Sequence, residues 1–353
     1  MPYIEINFNK IAENLDRAVE ICKKRSVALT VVTKFFTSDP GLMRALSEKG
    51  VDSVADTNIA NFAQKGFPAG LKKTLIKTSL SDIRTLPALA PERRPCRLFV
   101  SDEALLEAVE ALPEDAKPQT VLAAEAGDLR EGFYIEDIPS IAKRYRGARI
   151  AGVAANFGCL SGKMPDIPVI RRLWDAAAAM PRAEGDAPPI VSIGGTVAYC
   201  LLASGTLNGV ISELRMGEGI FMGYDSSSGR PLEDFNQDAF TLYGEIIEIR
   251  EKTIAPVEGA GHTAFGGKAA PRKTGLRRCA VLDFGLLGAP ERELEPLDKA
   301  VETAGQTYDF TIADITESGE NYKTGGFIPF RAMYAASARA FLNPYVKRYL
   351  IKR

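Results

Sequence analysis

Short apolar runs alternate with amphipathic patterns of helical period from the start of the chain to residue 223. Because the runs are short and rich in β-branched residues, each one predicts a strand that is buried on both faces, as in a parallel sheet. The intervening patterns predict helices, among them 41–49, 103–111 and 169–180. The predicted strands cover residues 27–34, 51–55, 74–78, 97–101, 120–126, 149–156, 190–194 and 211–216.

Strands and helices that alternate in this way form a parallel sheet with right-handed crossovers. The count of about eight strand–helix units is that of a (β/α)8 or TIM barrel, a member of the α/β class. An open, doubly wound sheet is the competing architecture, and it usually carries a Gly-rich fingerprint after its first strand. Here Lys34-Phe35-Phe36 follows the first run and supplies no such fingerprint. We therefore predict the barrel.

The pattern changes after Gly223. A polar connector at 224–231 leads into segments that alternate between apolar and polar residues without a clear helical period. Gly and Pro turns lie between these segments, which is typical of an antiparallel β-domain. The alternating segments are 240–248, 277–284, 308–315 and 327–333. We therefore predict a carboxyl-terminal, mostly-β domain behind the barrel.

Length and composition restrict the class of protein. The 353 residues are enough for one barrel and a smaller domain, and a net charge of -1 without a basic block argues against a nucleic-acid or anionic-membrane surface. No apolar run is long enough to span a bilayer, and the first residues lack a signal-peptide core. Five scattered cysteines and one histidine argue against a metal site. We expect a reduced, cytoplasmic protein.

The first apolar run ends abruptly on Lys34. A lysine at the carboxyl end of a barrel strand lies at the rim of the core, where partial desolvation would free its amine to attack carbonyl groups. The alternative is a strand-end lysine that points into water. The rest of the chain has to decide between the two interpretations.

Two glycine-containing turns follow the last two predicted barrel strands, where phosphate often binds in this fold. They are 193–196, with Thr196 near Ser192, and 216–219. Glycines let the backbone approach an anion closely, although ordinary strand-to-helix turns would have the same composition. A lysine on the first strand together with phosphate loops on the last two suggests pyridoxal phosphate held as a Schiff base.

Three polar residues at strand ends could also face this mouth. Arg215 precedes the second loop, and opposite a pyridine nitrogen it would keep that nitrogen unprotonated, because a guanidinium only donates hydrogen bonds. Arg130 could clamp a carboxylate, and Asn156 could bond to Arg215 or to the ring. The alternative for Arg215 is a rim salt bridge with Glu213 or Glu218, and for Arg130 it is pairing with Asp128 or Glu131. For Asn156 the alternative is a plain turn residue.

These motifs are found together in a known family. Nearly the full length of the chain resembles the alanine racemase-like (fold type III) family of pyridoxal-phosphate enzymes, and within it the ornithine racemase-like branch. The resemblance is carried by Val32-Thr33-Lys34 with Asp39-Pro40, Gly127-Asp128-Leu129-Arg130-Glu131-Gly132, Gly152-Val153-Ala154-Ala155-Asn156, Gly194-Gly195-Thr196, Leu214-Arg215-Met216-Gly217-Glu218, Gln237-Asp238-Ala239-Phe240 and Ala264-Phe265-Gly266.

The resemblance implies a barrel of residues 9–223, a β-domain of residues 1–8 plus 224–353, and a head-to-tail homodimer whose β-domains complete the partner's active site. Lys34 would carry the cofactor, Arg215 would face its pyridine nitrogen, and Arg130 would meet the substrate carboxylate. Asn156 would stand where alanine racemases have a histidine, and Asp309 would reach across the dimer. The phosphate would be surrounded by Ser192, Gly195, Thr196, Gly217, Glu218 and Tyr334.

The chain departs from the family at the second acid–base group. Alanine racemases place a catalytic tyrosine in the turn that here covers residues 259–266, and this turn contains His262 instead. Histidine changes charge near neutral pH and could act on the opposite face of the substrate; the alternative is a solvated surface group. We predict an amino-acid racemase, with a basic substrate such as ornithine as one option. A lyase (aldolase or decarboxylase) and a non-catalytic cofactor carrier are the rival hypotheses.

Overall fold

A computed structural model describes residues 1–255, 262 and 273–352 of the chain. It contains two compact units, which are Lys10–Gln237 on the one hand and Met1–Asn9 with Asp238–Arg353 on the other. The first unit therefore includes the polar connector after Gly223, which the sequence-based boundary assigned to the β-domain.

The unit Lys10–Gln237 is a closed barrel of eight parallel strands. The chain enters it from strand β1 (Tyr3–Asn7) and helix α1 (Phe8–Lys24). The barrel strands are β2 (Ala28–Val32), β3 (Ser53–Asp56), β4 (Lys72–Leu75), β5 (Arg97–Val100), β6 (Gln119–Ala123), β7 (Ile150–Asn156), β8 (Ile190–Gly194) and β9 (Glu213–Met216), and β9 closes the barrel on β2.

Helices connect the barrel strands, as the 3.6-residue periods predict. They are α2 (Pro40–Glu48), α3 (Ile59–Phe62), α4 (Leu80–Thr85), α5 (Glu103–Glu110), α6 (Ile138–Arg144), α7 (Ile167–Ala178), α8 (Thr196–Ala203) and α9 (Glu218–Met222). Local sequence sets where they begin. Asp39, for example, accepts hydrogen bonds from the backbone N–H groups of Gly41 and Leu42 and so caps α2, with Pro40 at its first position.

The chain next forms a short antiparallel hairpin of two two-residue strands, β10 (Tyr224–Asp225) and β11 (Arg230–Pro231). The second unit follows. Its sheet has the order β14-β17-β12-β13-β16-β15, and β1 pairs antiparallel with β12 and parallel with β18. The elements are β12 (Phe240–Ile254), β13 (Gly275–Leu282), β14 (Leu294–Pro296), β15 (Glu302–Gln306), β16 (Thr311–Asp314), β17 (Phe327–Ala332), α10 (Tyr334–Leu342) and β18 (Lys347–Ile351).

The predicted fold class, a (β/α)8 barrel followed by a mostly-β domain, is confirmed. The eight predicted strands are all present, although most are shorter than the apolar runs that indicated them, because residues at one or both ends of these runs lie outside the strands. None of the described helices is both long enough and apolar enough to cross a membrane.

Candidate active site

A cavity of about 230 Å³ opens at the carboxyl ends of the barrel strands. This is the end at which barrel enzymes place their active sites. Its charged and polar lining comprises Lys34, Lys77, Arg130 and Arg215, the acidic Glu125, Asp128 and Glu131, and Thr57 and Asn156; its apolar lining includes Phe99 and several alanines. Four residues that were proposed from sequence therefore line one cavity: Lys34, Arg130, Asn156 and Arg215.

Lys34 is the first residue of a 3-10 turn, Lys34–Phe36, that follows β2. Phe35 and Phe36 are buried, and each ring lies 5.1 Å from the ring of Phe221 between centroids. These two aromatic anchors hold the turn, so that the exposed Lys34 side chain is presented at the cavity.

A buried carboxylate braces the same turn from the neighbouring strand. Oδ2 of Asp56 accepts hydrogen bonds from Thr33 Oγ1 at 3.0 Å and Ser38 Oγ at 2.8 Å, on either side of Lys34. Its Oδ1 accepts from Asn61 Nδ2 at 2.9 Å and from two backbone N–H groups. Ser38 is held with a φ of 49°, in the left-handed region, which a non-glycine residue keeps only when its surroundings enforce it. Asp56 therefore fixes the conformation that carries Lys34.

Arg215 lies inside the barrel rather than at its rim, and is 4% exposed. Its Nη2 donates to Asn156 Oδ1 at 2.9 Å and to the backbone oxygen of Ala155 at 3.0 Å, and its Nη1 donates to Ser192 Oγ at 2.7 Å. Its guanidinium carbon lies 4.7 Å from the centroid of the Phe99 ring, a cation–π contact. Gly194 makes this arrangement possible, because a Cβ there would collide with Asn156 and Arg215.

A second buried charge, Glu213, is linked to Arg215 through Ser192, by two hydrogen bonds in series. The Ser192 hydroxyl donates to Glu213, which also accepts from Arg97 Nη1 at 2.7 Å and from Thr30 Oγ1 at 3.1 Å. Burial lowers the pKa of Arg215 to about 10, and the attraction of Glu213 works against that decrease. The guanidinium therefore stays charged at neutral pH. The salt bridge considered from sequence, Arg215 with Glu213, is replaced by a chain that runs through Ser192.

The two glycine loops lie side by side, because β8 and β9 are neighbours. Gly195 has a φ of 113° and donates its N–H to the backbone oxygen of Arg215 at 3.3 Å, and the N–H of Gly219 donates to Thr196 Oγ1 at 3.0 Å. The carboxylate of Glu218 accepts from the backbone N–H and the hydroxyl of Ser226. Burial raises the pKa of Glu218, and the hydrogen bonds from Ser226 oppose the rise.

Arg130 lines the cavity with a guanidinium that already has anionic partners. Its Nε donates to Glu131 Oε2 at 3.0 Å, its Nη2 donates to Glu131 Oε1, and its Nη1 lies 3.6 Å from Asp128 Oδ2. The pairing considered from sequence as the alternative is therefore present. A substrate carboxylate would have to compete with it.

The remaining predicted residues belong to the β-unit. Tyr334 is the first residue of α10, and Asp309 is exposed in the turn between β15 and β16. His262 is exposed, while its neighbours 256–261 and 263–272, and with them most of the turn that departs from the family pattern, lie outside the described residues. The roles of these three residues stay predictions.

Sequence reasoning missed Asp56 as the brace of Lys34, and Lys77 as a second lysine of the cavity. A signal was present for both, since each is a polar residue at the carboxyl end of a predicted strand. Ser192 was grouped with the phosphate residues, but its hydroxyl is engaged by Arg215 and Glu213. The structure thus connects it with the buried arginine and not with the phosphate loops.

Comparison with known proteins agrees with this geometry. Residues 6–225 match the family model of the alanine racemase N-terminal domain. A lysine racemase of Thermotoga maritima is 30% identical over 98% of both chains, and an ornithine racemase of Acetoanaerobium sticklandii is 28% identical over 99% of both.

Solved structures share the fold over the full length. An alanine racemase of Bartonella henselae with covalently bound pyridoxal phosphate has a TM-score of 0.74 at 12% identity over 99% of both chains. A D-threo-3-hydroxyaspartate dehydratase of Delftia sp. HT23 has a TM-score of 0.68 at 17% identity, over 99% of this chain and 94% of that one. The fold by itself therefore leaves the reaction open. The family match and the full-length relatives show that the chain belongs to the alanine racemase family, whose enzymes use pyridoxal phosphate.

Proposed function

We propose that the protein is a pyridoxal-phosphate-dependent racemase of amino acids with a basic side chain. The observation that carries the proposal is the presence of Lys34 and the buried Arg215 in one cavity at the carboxyl end of the barrel. The names of the two full-length relatives, lysine racemase and ornithine racemase, support the substrate class.

The groups that line this cavity, together with the two glycine loops after β8 and β9, fit the cofactor. Lys34 offers a primary amine, and Arg215 offers a charged donor for the pyridine nitrogen, held in place by Asn156. Gly195, Thr196, Gly217 and Glu218 offer two adjacent loops for the phosphate, Glu218 through its backbone because Ser226 occupies its carboxylate. Tyr334 stays a predicted phosphate ligand. Ser192 we assign to the positioning of Arg215.

When bound, pyridoxal phosphate withdraws electrons from the substrate's α-carbon and so acidifies its α-proton. On one face of the substrate, Nζ of Lys34 would remove the α-proton of one enantiomer and would supply it when that enantiomer is formed. Arg215 is fixed by four hydrogen-bonding and ring partners and stays charged, so it can donate to a ring nitrogen but cannot give it a proton. With its nitrogen unprotonated, the ring would be a weaker electron sink for the α-carbanion, which favours rapid return of the proton. Arg130 would orient the substrate carboxylate.

The opposite face needs a second acid–base group, and His262 is our candidate. In this proposal two copies of the chain form a head-to-tail dimer, and the partner's β-domain brings its histidine and its counterpart of Asp309 to the site. Histidine suits the task because it both accepts and gives a proton near neutral pH. His262→Ala should lower racemisation by about 100-fold while leaving cofactor affinity within a factor of two. An unchanged rate would mean that His262 is a solvated surface group without a role in catalysis.

The proposed reaction is tested by incubating the holoenzyme with a panel of single-enantiomer amino acids in deuterated water. Racemisation predicts that deuterium appears at the α-carbon while optical activity is lost, fastest for lysine or ornithine. Release of an aldehyde or of carbon dioxide would instead identify the lyase. No turnover of any amino acid, together with loss of the yellow colour in Lys34→Ala, would identify a cofactor carrier.

The attachment of the cofactor has its own test with a matched control. Borohydride reduction followed by peptide mapping should find the cofactor mass on the peptide that contains Lys34. Lys77→Ala removes the other lysine of the cavity and should leave this label in place, whereas Lys34→Ala should abolish it. A label on any other peptide contradicts the assignment.

A further inference from the structure

We infer that the carboxylate of Asp128 binds the side-chain ammonium group of a basic amino-acid substrate. This inference rests on the proposed function, because it names the residue that selects the substrate in the same cavity. Asp128 lies in the loop after β6, two residues before Arg130. It lines the cavity together with Lys34.

The two oxygens of Asp128 differ in their hydrogen bonding. The residue is 4% exposed, and its Oδ1 accepts from the backbone N–H groups of Leu160 at 2.9 Å and Ser161 at 3.3 Å. Its Oδ2 is buried and has no hydrogen-bond donor among the described residues. A buried carboxylate oxygen without a donor is costly, and such atoms in native structures usually have a partner that is not part of the chain. Oδ1 thus fixes the side chain, while Oδ2 is left to a ligand.

The cation nearest to Oδ2 is shared with another carboxylate. Arg130 Nη1 lies 3.6 Å from Oδ2, beyond hydrogen-bond distance, while Nε and Nη2 of the same guanidinium are engaged by Glu131. This loop therefore holds two carboxylates against one arginine. The ammonium of Lys163 lies beside Gly127 in the same loop. It is therefore the missing donor at Oδ2, and not a net negative charge, that favours a ligand with an ammonium group.

A basic amino acid brings the two groups that this arrangement needs. Its α-carboxylate can replace Glu131 on the guanidinium of Arg130, and its side-chain ammonium can give Asp128 Oδ2 the hydrogen bond that it is missing. A neutral side chain would leave Oδ2 buried without a donor. A site of this kind discriminates against the analogue that lacks the polar group, because the unpaired atom stays desolvated.

The other two carboxylates of the cavity fit this role less well. Glu131 is occupied through both oxygens by Arg130, and its side chain is 42% exposed, so that water screens its charge. Oε1 of Glu125 accepts the backbone N–H groups of Gly127 and Leu129 and so shapes the loop that contains Asp128. Glu125 offers a matched control, since it lines the same cavity and carries the same charge.

The test is Asp128→Asn in the holoenzyme. Asparagine keeps the shape and the Oδ1 acceptor for Leu160 and Ser161, but it places an N–H2 donor where Oδ2 was. We compare kcat/KM for racemisation of L-lysine with that of L-norleucine, which has the same carbon chain without the ammonium group. The lysine-to-norleucine ratio should fall by about 10- to 100-fold. Glu125→Gln, which also removes one negative charge, should keep the ratio within about threefold of the parent.

A second readout separates binding from turnover. Titration of the holoenzyme with each amino acid, followed through the absorption band of the cofactor, gives an apparent Kd. Asp128→Asn should weaken lysine binding by a similar factor and leave norleucine binding nearly unchanged. Asp128→Glu restores the charge one methylene further out, so it should recover selectivity and move the preference from lysine towards the shorter ornithine.

The outcomes are distinguishable. An equal loss for lysine and norleucine would mean that Asp128 only positions Arg130, and unchanged kcat/KM values for both would mean that Asp128 does not contact the side chain. Both outcomes overturn the inference. If the parent enzyme racemises only neutral amino acids, the inference about Asp128 is overturned, while the assignment of racemase activity is kept. If the parent racemises no amino acid, the proposed function fails, and the binding titration still decides the role of Asp128.

Discussion

Arg215 and Arg130 line one cavity, but they are held in opposite ways. The guanidinium of Arg215 is buried and donates to neutral oxygens of Ser192, Asn156 and Ala155, with the anion Glu213 one residue further away. Arg130 has a side chain that is 24% exposed, and it is paired directly with Glu131 and lies close to Asp128. One arginine donates to buried neutral oxygens, and the other is shared among carboxylates.

The difference between the surroundings of Arg215 and of Arg130 matches the roles that we propose for the two arginines. A group that binds the cofactor ring gains from being immobile, since its interactions then need no reorganisation during the reaction. A group that binds each incoming substrate has to exchange one carboxylate for another, so an exposed ion pair of small net strength suits it. Replacing a carboxylate by its amide near each arginine tests whether the two surroundings differ in this way.

Glu213→Gln should have the largest effect on stability. The change removes the carboxylate charge that pairs with Arg97 and that faces Arg215 through Ser192, and so leaves these buried positive charges poorly compensated. We expect the free energy of unfolding to fall by about 3 kcal/mol, in urea unfolding followed by circular dichroism. A change below about 1 kcal/mol would show that the buried network is no more constrained than the Arg130 side.

Asp56→Asn should have an intermediate effect, because it keeps the shape but loses the charge that accepts from Thr33 and Ser38. We expect a loss of about 2 kcal/mol in the free energy of unfolding. Since these bonds flank Lys34, the rate at which the apoprotein captures pyridoxal phosphate in a borohydride-reducible form should also fall. Lower stability with an unchanged capture rate would limit Asp56 to a structural role.

Glu131→Gln should have the smallest effect on stability. Its partner Arg130 is partly exposed, and such ion pairs contribute at most about 1 kcal/mol. We therefore expect a change below that value in the same urea experiment, with a lower KM for the substrate because Arg130 no longer has to be released from Glu131. A loss as large as that of Glu213→Gln would remove the distinction between the two sides.

Much of the fold was predictable from local pattern. Eight apolar runs separated by helical periods define a barrel, because strands buried on both faces and crossover helices have few other arrangements. Lys34 and the two glycine loops were found for the same reason, since strand ends in a parallel barrel meet at one mouth. Several strands were predicted to be too long, because an apolar turn and the end of a buried strand have the same composition.

The sequence by itself determined the barrel, the family and four residues of the cavity, Lys34, Arg130, Asn156 and Arg215, since these depend on periodicity and on motifs of adjacent residues. Only the tertiary structure decided which charges meet. Arg97 and Glu213 are 116 residues apart and Thr30 and Glu213 are 183 apart, and closure of the barrel brings them together. Ser192 lies directly opposite Glu213 in the β8–β9 register, which is why its hydroxyl serves the buried arginine. Partners across strands are set by register. A strand that is buried on both faces lacks the alternation of apolar and polar residues that would indicate its register.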